Sequence, residues 1–545
     1  MRILLSFFLI FILVFSSCRN RQNVDLIVHN GKVYTVDSGF SIAEAFAVKD
    51  GKIVAVGKTY DILYKYKGAE LIDARGNAIY PGFIDAHAHF VGYGRSLFEV
   101  NLFGCNNWDE VLARVKKFAG EHPNDIWIRG RGWDQNNFPL QAYPDNTQLD
   151  VLFPGKAVLL DRVDGHAAIA NTKALELGHV VAGQAVSGGS IETKNGKLTG
   201  LLIDNAVDIL SSLIPRPSAA DYEKWLTTAE KNCFQQGLTT ITDCGLMYYE
   251  VAAIDSLQQR GKLQMRIYAM LTDSPANFER YIGKATYKTD RLYVRGVKAY
   301  ADGALGSRGA CLLAPYSDKA GWQGFLLNPV SHYDSLAKML SITDFQMCTH
   351  AIGDSGNRII LSVYAKYLNG KNDKRWRIEH AQFVNAADYN LFGKNAVIPS
   401  VQPTHATSDM HWAGERLGTA RLKYAYAYRS LLEQNGWLPL GTDFPVEDIS
   451  TVKTFYAAVV RKDGKGYPQG GFQKENALTR EQALRGMTIW AAKAGFMEKE
   501  TGSLEPGKKA DFVILNADIM QIPEDAIIQT QVFGTFIGGK KVYGN

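Results

Sequence analysis

The sequence predicts an α/β protein built on a (β/α)8 TIM barrel. A small β-sandwich domain formed from both chain termini and an insertion after barrel strand 1 complete the predicted fold. Short apolar segments alternate eight times with helical segments, as in a barrel of parallel strands joined by crossover helices. Stretches rich in β-forming residues lie at both ends of the chain, and the alternation is interrupted from about residue 105 to residue 215.

Residues 1–18 are typical of a lipoprotein signal peptide. Arg2 is followed by an unbroken apolar run and then by Ser16-Ser17-Cys18, which resembles a lipobox whose cysteine carries the lipid. The apolar run is too short for a membrane-spanning helix, which needs about 20 residues. We therefore expect an exported lipoprotein, anchored to a membrane only through Cys18, on the periplasmic or cell-surface side. An ordinary signal peptide or a short uncleaved anchor is the alternative.

Tight-turn sequences mark the two halves of the predicted β-sandwich. In the first half, residues 19–80, HNGK and KDGK separate β-rich stretches and are typical of hairpins. The second half, residues 500–545, contains ADFVILN and QVFGTFIGGKKVYG, which have the same character. Two sets of short strands at opposite ends of one chain favour a single domain built from both.

The barrel is predicted for residues 81–499. Two of its helical segments have clear start signals, because Ser218 opens an amphipathic segment that closes at Gly237, and Thr479 has capping-box spacing to Gln482. The insertion lies between the first two strands. The candidate strands are, in order, GFIDAHAHF, GLTTITDCG, LQMRIYAM, RGVKAYADG, FQMCTHAIG, RWRIEHAQ, NAVIPSVQP and GWLPLGTDFP.

The composition limits the classes of partner. With 545 residues, 46 % of them hydrophobic and 21 % charged, the chain resembles a soluble globular protein of more than one domain. The net charge of +5 is spread without a long basic run, so no nucleic-acid partner is expected. The cysteines beyond Cys18 match no zinc or redox spacing, and Cys244 and Cys348 are expected as buried thiols. The oligomeric state is open, with a homo-oligomer as one option.

The first candidate strand carries His87 and His89. Residues i and i+2 of a strand point to the same side, so the two imidazoles converge on one point. Imidazole nitrogen is the commonest protein ligand for zinc and similar ions. A pair of hydrogen-bonded core histidines would give the same pattern.

Other candidate strands also end in polar residues. His350, His380 and Asp443 follow the apolar runs of strands five, six and eight, at the ends where barrel enzymes build their sites. A single buried histidine or aspartate is usually a satisfied core group. Several such residues from separate strand ends favour a shared metal site.

Lys298 lies in the fourth candidate strand, whose small apolar residues indicate burial. An ammonium group there would be costly unless it is paired. An ion pair with Asp302, four residues further on, is one explanation.

These motifs resemble the amidohydrolase superfamily of metal-dependent hydrolases. PGFIDAHAHF is similar to its first-strand motif, and GSLEPGKKADFVILNAD to its return into the β-sandwich. RGWDQNNF, DGHAAIANTKAL, VKAYADGALGSRGA, HAIGD and LGTDFPV are together similar to amidohydrolase family 3, which includes N-substituted formamide deformylase-like proteins. The resemblance covers nearly all of the chain after the signal peptide.

The resemblance implies a centre with two divalent metal ions. In binuclear members a lysine at the end of strand four reacts with CO2, and the resulting carbamate bridges the metals; Lys298 stands at that position. Zinc is the expected metal, and iron, manganese and cobalt suit the same donors. The other implied ligands are His87, His89 and Asp443 for one metal, and His350 and His380 for the second.

The implied reaction is hydrolysis of a non-peptide carbon–nitrogen bond in a small, amide-like substrate. A bridging hydroxide attacks the carbonyl, and Asp443 takes its proton and delivers it to the leaving nitrogen. Deamination, or ester, lactone or phosphoester hydrolysis, on the same fold is an alternative, because fold does not decide the reaction. A non-catalytic ligand-binding lipoprotein is another, although the proton shuttle Asp443 favours an enzyme.

Further side chains are expected to contact the substrate because they lie in the insertion or follow strands four and seven. A structural hydrogen bond or a packing role is the alternative for each of them. They are Trp133, Asp134, His166, Asp302, Arg308 and His405.

Overall fold

The structure, a computed structural model, describes residues 21–544. The expected signal peptide and the lipidation site Cys18 lie outside these residues. In the described part of the chain, no helix has both the length and the apolar character needed to cross a membrane. The fold class expected from the sequence is confirmed, since a parallel barrel carries additional β-sheets on either side of it in the chain.

The elements fall into consecutive blocks along the chain. The first block contains β1 Gln22–His29, β2 Lys32–Tyr34, β3 Ile42–Ala43, β4 Ala45–Lys49, β5 Lys52–Gly57, α1 Thr59–Lys65, β6 Tyr66–Asp73 and β7 Ala78–Pro81. Barrel strand β8 Phe83–Ala88 and α2 Phe90–Ser96 follow. The insertion then contributes β9 Val100–Asn101, α3 Trp108–Glu121, β10 Trp127–Trp133, α4 Thr147–Leu152, β11 Ala157–Arg162, β12 Ala167–Ala170, α5 Thr172–Leu177, β13 Gly189–Lys194, β14 Lys197–Asp204 and α6 Asp208–Ser211.

The remaining barrel elements and the C-terminal strands complete the fold. The barrel continues with α7 Ala219–Gln235, β15 Leu238–Leu246, α8 Tyr248–Gln259, β16 Arg266–Thr272, α9 Pro275–Tyr281, β17 Tyr287–Lys288, β18 Leu292–Tyr300, α10 Val330–Ser341, β19 Gln346–Ala351, α11 Asp354–Tyr367, β20 Arg377–His380, α12 Tyr389–Lys394 and β21 Ile398–Ser400. Helices α13 Pro403–Asp409, α14 Ala413–Leu417, α15 Thr419–Leu422, α16 Tyr428–Asn435, α17 Thr451–Val460, α18 Arg480–Gly486 and α19 Ile489–Ala494 follow. The last strands are β22 Phe512–Leu515, β23 Val532–Ile537 and β24 Lys540–Tyr543.

Strands from both ends of the described chain share one sheet of the sandwich. That sheet has the order β24-β23-β22-β7-β2-β3, with β22 antiparallel to β7 and Val513 opposite Tyr80. The facing sheet, β5-β4-β1-β6, is wholly N-terminal. Phe46 of β4 packs edge-on against Phe512 of β22 within the core between the sheets. Burial of such apolar side chains holds the two ends of the chain together.

The barrel strands are parallel and follow the order β8-β15-β16-β18-β19-β20-β21. Their side chains are almost all buried, as in sheets covered by helices on the outside and packed side chains within. Two helices begin where the sequence predicted. Ser218 forms a capping box at the start of α7, and Thr479 forms one with Gln482 at the start of α18. Cys244 and Cys348 are buried free thiols, as expected.

The eighth barrel segment is irregular. The predicted strand GWLPLGTDFP makes one isolated bridge, Leu440 to Val401, instead of a regular ladder. On the other side, the backbone N–H of Asp443 donates to the carbonyl of His87 at 2.8 Å. The segment therefore joins β21 to β8 and closes the barrel, although Pro439, which lacks an N–H, cannot donate to a ladder.

The insertion forms its own sheet, in the order β13-β14-β12-β11-β10-β9. This sheet begins at Val100, slightly before the position near 105 expected from the sequence. Apolar clusters cover both of its faces. The carboxyl ends of β10 and β11 and the turn before β12 line the same cavity as the barrel strand ends, so the insertion forms one wall of that cavity.

Arg266 joins the opposite end of the barrel to the sandwich. It is the first residue of β16, and its Nε and Nη2 lie 2.6 and 3.2 Å from the two carboxylate oxygens of Asp511. Its Nη1 donates to the backbone carbonyl of Asp290 at 3.1 Å. Asp511 Oδ1 also accepts the N–H of Gly538 at 2.8 Å, so each charged group in this buried cluster has several partners.

Candidate active site

A cavity of about 1150 Å³ opens at the carboxyl ends of the barrel strands. Barrel residues and insertion residues both line it, so the insertion lies beside the barrel mouth. The lining includes most of the residues expected to bind metal, namely His89, Lys298, His350, His380 and Asp443.

Asp443 lies at the centre of the histidine cluster. Its Oδ1 is 3.2 Å from Nε2 of His89 and 3.5 Å from Nε2 of His87, while its Oδ2 is 3.2 Å from Nε2 of His405. Two groups of potential ligand atoms each lie within 4.8 Å of one another: His87, His89 and Asp443 in one, and His380, His405 and Asp443 in the other. Asp443 is therefore shared between two groups that could each hold a metal ion.

The histidines of these two groups are all oriented through Nδ1. The partners are Glu379 for His87 at 2.5 Å, the carbonyl of Cys244 for His89 at 2.9 Å, Gln402 for His380 at 2.8 Å and Glu447 for His405 at 2.9 Å. Because Nδ1 is engaged, Nε2 is the nitrogen left for the cluster. Metal-ligating histidines characteristically donate their other ring N–H to a carboxylate or carbonyl in this way.

His350 differs from these histidines. Its ring centroid is 4.5 Å from that of His380, but its Nε2 lies 3.5 Å from the carbonyl of Gly303 and 3.7 Å from Oδ1 of Asp302. It belongs to neither group of ligand atoms. His405, which the sequence predicted as a substrate contact, takes part in the second group instead.

Electrostatics favour neutral imidazoles at His87 and His380 and an ionised Asp443. The pKa of His405 is raised well above its usual value, because hydrogen bonds to Asp443 and Glu447 outweigh burial. Burial, assisted by Lys298, lowers the pKa of His87 to about 4 despite the Glu379 carboxylate. Burial likewise lowers the pKa of His380 well below its usual value. The pKa of Asp443 is held well below its usual value because its interactions with the neighbouring His405 and His89 outweigh burial. Neutral imidazole and carboxylate are the protonation states that bind metal ions.

Lys298 is fully buried beneath the cluster. Its Nζ lies 3.3 Å from Nε2 of His87 and 4.7 Å from the ring centroid of Tyr300. Within residues 21–544, no carboxylate oxygen lies within 4 Å of this nitrogen. The alternative of an ion pair with Asp302 is therefore wrong.

Three of the residues predicted as substrate contacts do not line the cavity in the described chain. Trp133 is fully buried in the core of the insertion, where its Nε1 donates to the carbonyl of Leu160 at 2.7 Å. Asp302 is also fully buried, and its oxygens accept backbone N–H groups from the loops at 311 and 352–353. Arg308 forms an ion pair with Asp318 at 2.8 Å. Each of these three side chains therefore forms a hydrogen bond or an ion pair within the protein.

Asp134 and His166 do line the cavity. Asp134 forms an ion pair with Arg162 of the insertion. The ring of His166 lies 4.9 Å from that of His350, and its Nδ1 is 2.7 Å from Oδ1 of Asp204. The insertion therefore brings a histidine directly to the edge of the metal-ligand cluster.

Glycines in the loop after β18 make room for Asp204. A Cβ atom added at Gly303 or at Gly309 would lie 2.5 Å from Oδ2 of Asp204. The carboxylate that orients His166 is therefore enclosed by the DGALGSRG loop of the barrel. This contact accounts for two of the glycines in that motif.

Comparison with known proteins identifies the family. Residues 70–543 match the sequence model of the Amidohydrolase family. The chain belongs to the amidohydrolase family. The resemblance found from the motifs is thereby confirmed, and the protein is a hydrolase whose His and Asp groups could hold metal.

Relatives of this amidohydrolase match over nearly their whole length. It is 32 % identical over 540 residues to Protein LONG AFTER FAR-RED 3 of Arabidopsis thaliana, covering 95 % of this chain and 91 % of that protein. It is 26 % identical over 548 residues to N-substituted formamide deformylase of Arthrobacter pascens, covering 95 % and 98 %. The crystal structure of an uncharacterized metal-dependent hydrolase from Pyrococcus horikoshii OT3 has a TM-score of 0.75 and 27 % identity, covering 92 % of this chain and 99 % of that one.

In this amidohydrolase, Glu379 is a site residue that no strand-end signal predicts, and it is the partner of His87. Neighbouring residues of a strand point to opposite faces, so Glu379 was not expected beside a cluster that contains His380. His380 has a φ of 72° and Asp443 a φ of 63°, in the left-handed region that side chains other than glycine rarely adopt. Such backbone strain is typical of functional sites, and here Glu379 and His380 both reach the cluster.

Proposed function

We propose that this amidohydrolase cleaves a non-peptide, amide-like carbon–nitrogen bond of a small molecule with the help of two divalent metal ions. The observation that carries the proposal is the common orientation of four histidines, whose Nδ1 atoms are engaged and whose Nε2 atoms are left for the cluster around Asp443. The Arthrobacter relative is named for the deformylation of N-substituted formamides, which supports an amide-like substrate.

The donor set fits divalent metal ions. Oδ1 of Asp443 is buried and, in the described chain, has no hydrogen-bond partner, so a ligand at this position would satisfy it. Nitrogen and oxygen donors suit zinc foremost, and iron, manganese or cobalt as well. When bound, such ions lower the pKa of water and polarise a carbonyl oxygen. One would be held by His87, His89 and Asp443, and the second by His380 with His405 or His350.

Lys298 is the residue proposed to carry a carbamate. Attack of its neutral amine on CO2 forms an N–C bond, releases one proton and leaves an anion with two oxygen donors. Burial alone lowers the pKa of Lys298, but Tyr300, Cys244 and the nearby carboxylates outweigh it and raise that pKa. Divalent cations in the cluster would act in the opposite direction and favour the neutral amine. The buried nitrogen, which has no acid within 4 Å in residues 21–544, supports this modification.

Asp443 is proposed as the acid–base group. Its carboxylate is ionised and lies between the two histidine groups. It can therefore accept a proton from the attacking water and later release it to the leaving nitrogen. An amine leaves poorly without that proton. His405, at 3.2 Å from Oδ2, holds the carboxylate in place.

An activity screen tests this proposal. Metal-loaded protein would be assayed against N-formyl, N-acyl and cyclic amides, with esters, lactones and aminated heterocycles as controls. We expect amide hydrolysis that Asp443→Asn reduces by about 100-fold or more, while metal remains detectable. Asp448→Asn, the same change at an exposed position five residues away, is the matched control and should leave the rate unchanged. Turnover of esters or heterocycles alone, or unchanged activity in Asp443→Asn, would contradict the proposal.

The N-terminal features of the sequence support a further proposal about location. We propose that the protein is exported and anchored through a lipid on Cys18, facing the periplasm or the cell surface. Incorporation of labelled fatty acid into the full-length protein, abolished by Cys18→Ser, is the expected result. Labelling that persists in Cys18→Ser would contradict it.

A further inference from the structure

Arg131 of the insertion forms part of the cavity wall. It lies near the carboxyl end of β10, and its guanidinium packs against Gly165. A Cβ atom at Gly165 would lie 3.1 Å from Nη2 of Arg131, and the φ of 74° at this glycine is one that L side chains rarely adopt. The next residue, His166, packs against His350. A short series of contacts therefore connects the guanidinium to the edge of the metal-ligand cluster.

Arg131 has no acidic partner. Its Nη2 donates to the carbonyl of Val163 at 3.1 Å, while its Nε is buried and has no hydrogen-bond partner. Among the ion pairs of residues 21–544, none includes Arg131. A partly buried cation with an unsatisfied, buried Nε is costly unless a ligand compensates it.

The neighbouring acids are committed to other arginines. Asp161 pairs with Arg129 at 3.4 Å, and Asp164 pairs with Arg162. Burial lowers the pKa of Arg131, and Asp161 only partly offsets this effect. Arg131 therefore presents to the cavity a guanidinium that has no ion-pair partner in the described chain, beside acids that are already paired with other arginines.

We propose that Arg131 binds a carboxylate of the substrate, so that this amidohydrolase acts on amides that carry a carboxylate group. The planar guanidinium fork matches the two oxygens of a carboxylate. The one positive charge of Arg131 suits a monoanion, and the nearby carboxylates of Asp134 and Asp164 disfavour a phosphate dianion. This inference rests on the proposed function, because it names the substrate class of the same site.

A matched pair of ligands tests the inference. The probes are N-benzoylglycine, which carries a carboxylate, and N-benzoylglycinamide, which carries a neutral carboxamide at the same position. Their dissociation constants for the full, metal-loaded protein would be measured by calorimetry, or KM for a probe that is hydrolysed. We expect N-benzoylglycine to bind about 10- to 100-fold more tightly than N-benzoylglycinamide. Arg131→Met should remove this preference and leave the affinity for N-benzoylglycinamide unchanged.

Two further variants keep the test specific. Arg131→Lys retains the charge without the fork, so it should keep part of the preference. Arg216→Met, an exposed arginine that lines the same cavity over the ring of Tyr249, should keep all of it. If the acid preference is absent in the wild type, or persists in Arg131→Met because the metals bind the carboxylate, the inference is overturned. A parallel loss of affinity for both probes in Arg131→Met would also overturn it.

The two proposals fail in different ways. An acid preference that depends on Arg131, in a protein that hydrolyses no amide, would refute the proposed reaction and keep the subsite. Amide hydrolysis without any acid preference would refute the subsite and keep the reaction.

Discussion

The two ends of the barrel both bury charged side chains, but they satisfy them differently. At the amino end, Arg266 meets Asp511 through two nitrogens, and Asp511 accepts a further backbone N–H. At the carboxyl end, Lys298 has no acid within 4 Å in the described chain, and one oxygen of Asp443 has no hydrogen-bond partner. Because buried charge without a partner is costly, the difference indicates that the amino end is complete and the carboxyl end binds a ligand.

Replacing Lys298 should have the largest effect. Lys298→Ala removes the amine proposed to carry the carbamate, so we expect loss of metal and a fall in activity of at least about 100-fold. This effect is larger than that of a residue that only hydrogen-bonds to a metal ligand. Acetate or propionate, which mimic the carbamate oxygens, should restore part of both. Elemental analysis and initial rates measure this. A variant that stays fully active with its metals bound would show that the buried amine is a structural residue like Arg266.

Breaking the complete pair at the amino end should change stability and not chemistry. Arg266→Met leaves Asp511 buried without its partner, so the free energy of unfolding should fall by about 3–5 kcal/mol. Metal content and kcat should stay unchanged below the unfolding temperature. Denaturant unfolding and initial rates would be compared, with Arg260→Met, an exposed arginine, as the control. A selective loss of metal in Arg266→Met would contradict the contrast between the two ends.

Glu230 gives the amino end a pH dependence of its own. Its Oε1 accepts the backbone N–H groups of Gln264 and Met265 next to β16, and burial raises its pKa to about 7. A carboxyl group with a raised pKa contributes stability below its unfolded pKa of about 4.5, and this is lost as the pH rises through about 7.

Glu230→Gln keeps the acceptor oxygen and removes this titration. We expect the variant to gain up to about 2–3 kcal/mol relative to the wild type between pH 5 and pH 8. Thermal unfolding across that range measures the difference. A constant difference at all pH values would show that Glu230 is ionised throughout.

A smaller effect is expected from the partner of His87. Glu379→Gln keeps the size of the side chain but removes the negative charge that faces Nδ1 at 2.5 Å. Metal affinity should fall by about 10-fold, at the lower end of the range for outer partners of metal ligands. Competition with a chelator measures it, and Glu433→Gln at an exposed position is the control. An unchanged affinity would mean that His87 is oriented by packing alone.

The sequence was informative where a residue's role follows from its place at a strand end. His87, His89, His380 and Asp443 were predicted as site residues because parallel strands end at one face of a barrel, and the structure brings them together. His405 was predicted as a substrate contact because it follows strand seven, whereas α13 places its Nε2 at 3.2 Å from Oδ2 of Asp443. The ladder of the eighth segment was also overestimated, since its proline and the left-handed Asp443 interrupt a strand.

Residues beyond the strand ends could not be placed, because their partners lie far away in the sequence. Asp302 follows its strand as a site residue would, yet its oxygens accept the backbone N–H groups of residues 50 and 51 positions further on. An aromatic residue and an arginine such as Trp133 and Arg308 are ordinary candidates for lining a cavity. In the structure, Trp133 donates to the carbonyl of Leu160, and Arg308 forms an ion pair with Asp318. Periodicity and turn signals do not encode such long-range contacts.

Anomalous diffraction from crystals of the metal-loaded protein tests the central claim most directly. We expect two anomalous peaks on either side of Asp443, one next to His87 and His89 and the other next to His380, with density for a carbamate on Lys298 between them. A cluster without anomalous density under saturating metal, or metal bound only at another place in the chain, would contradict it.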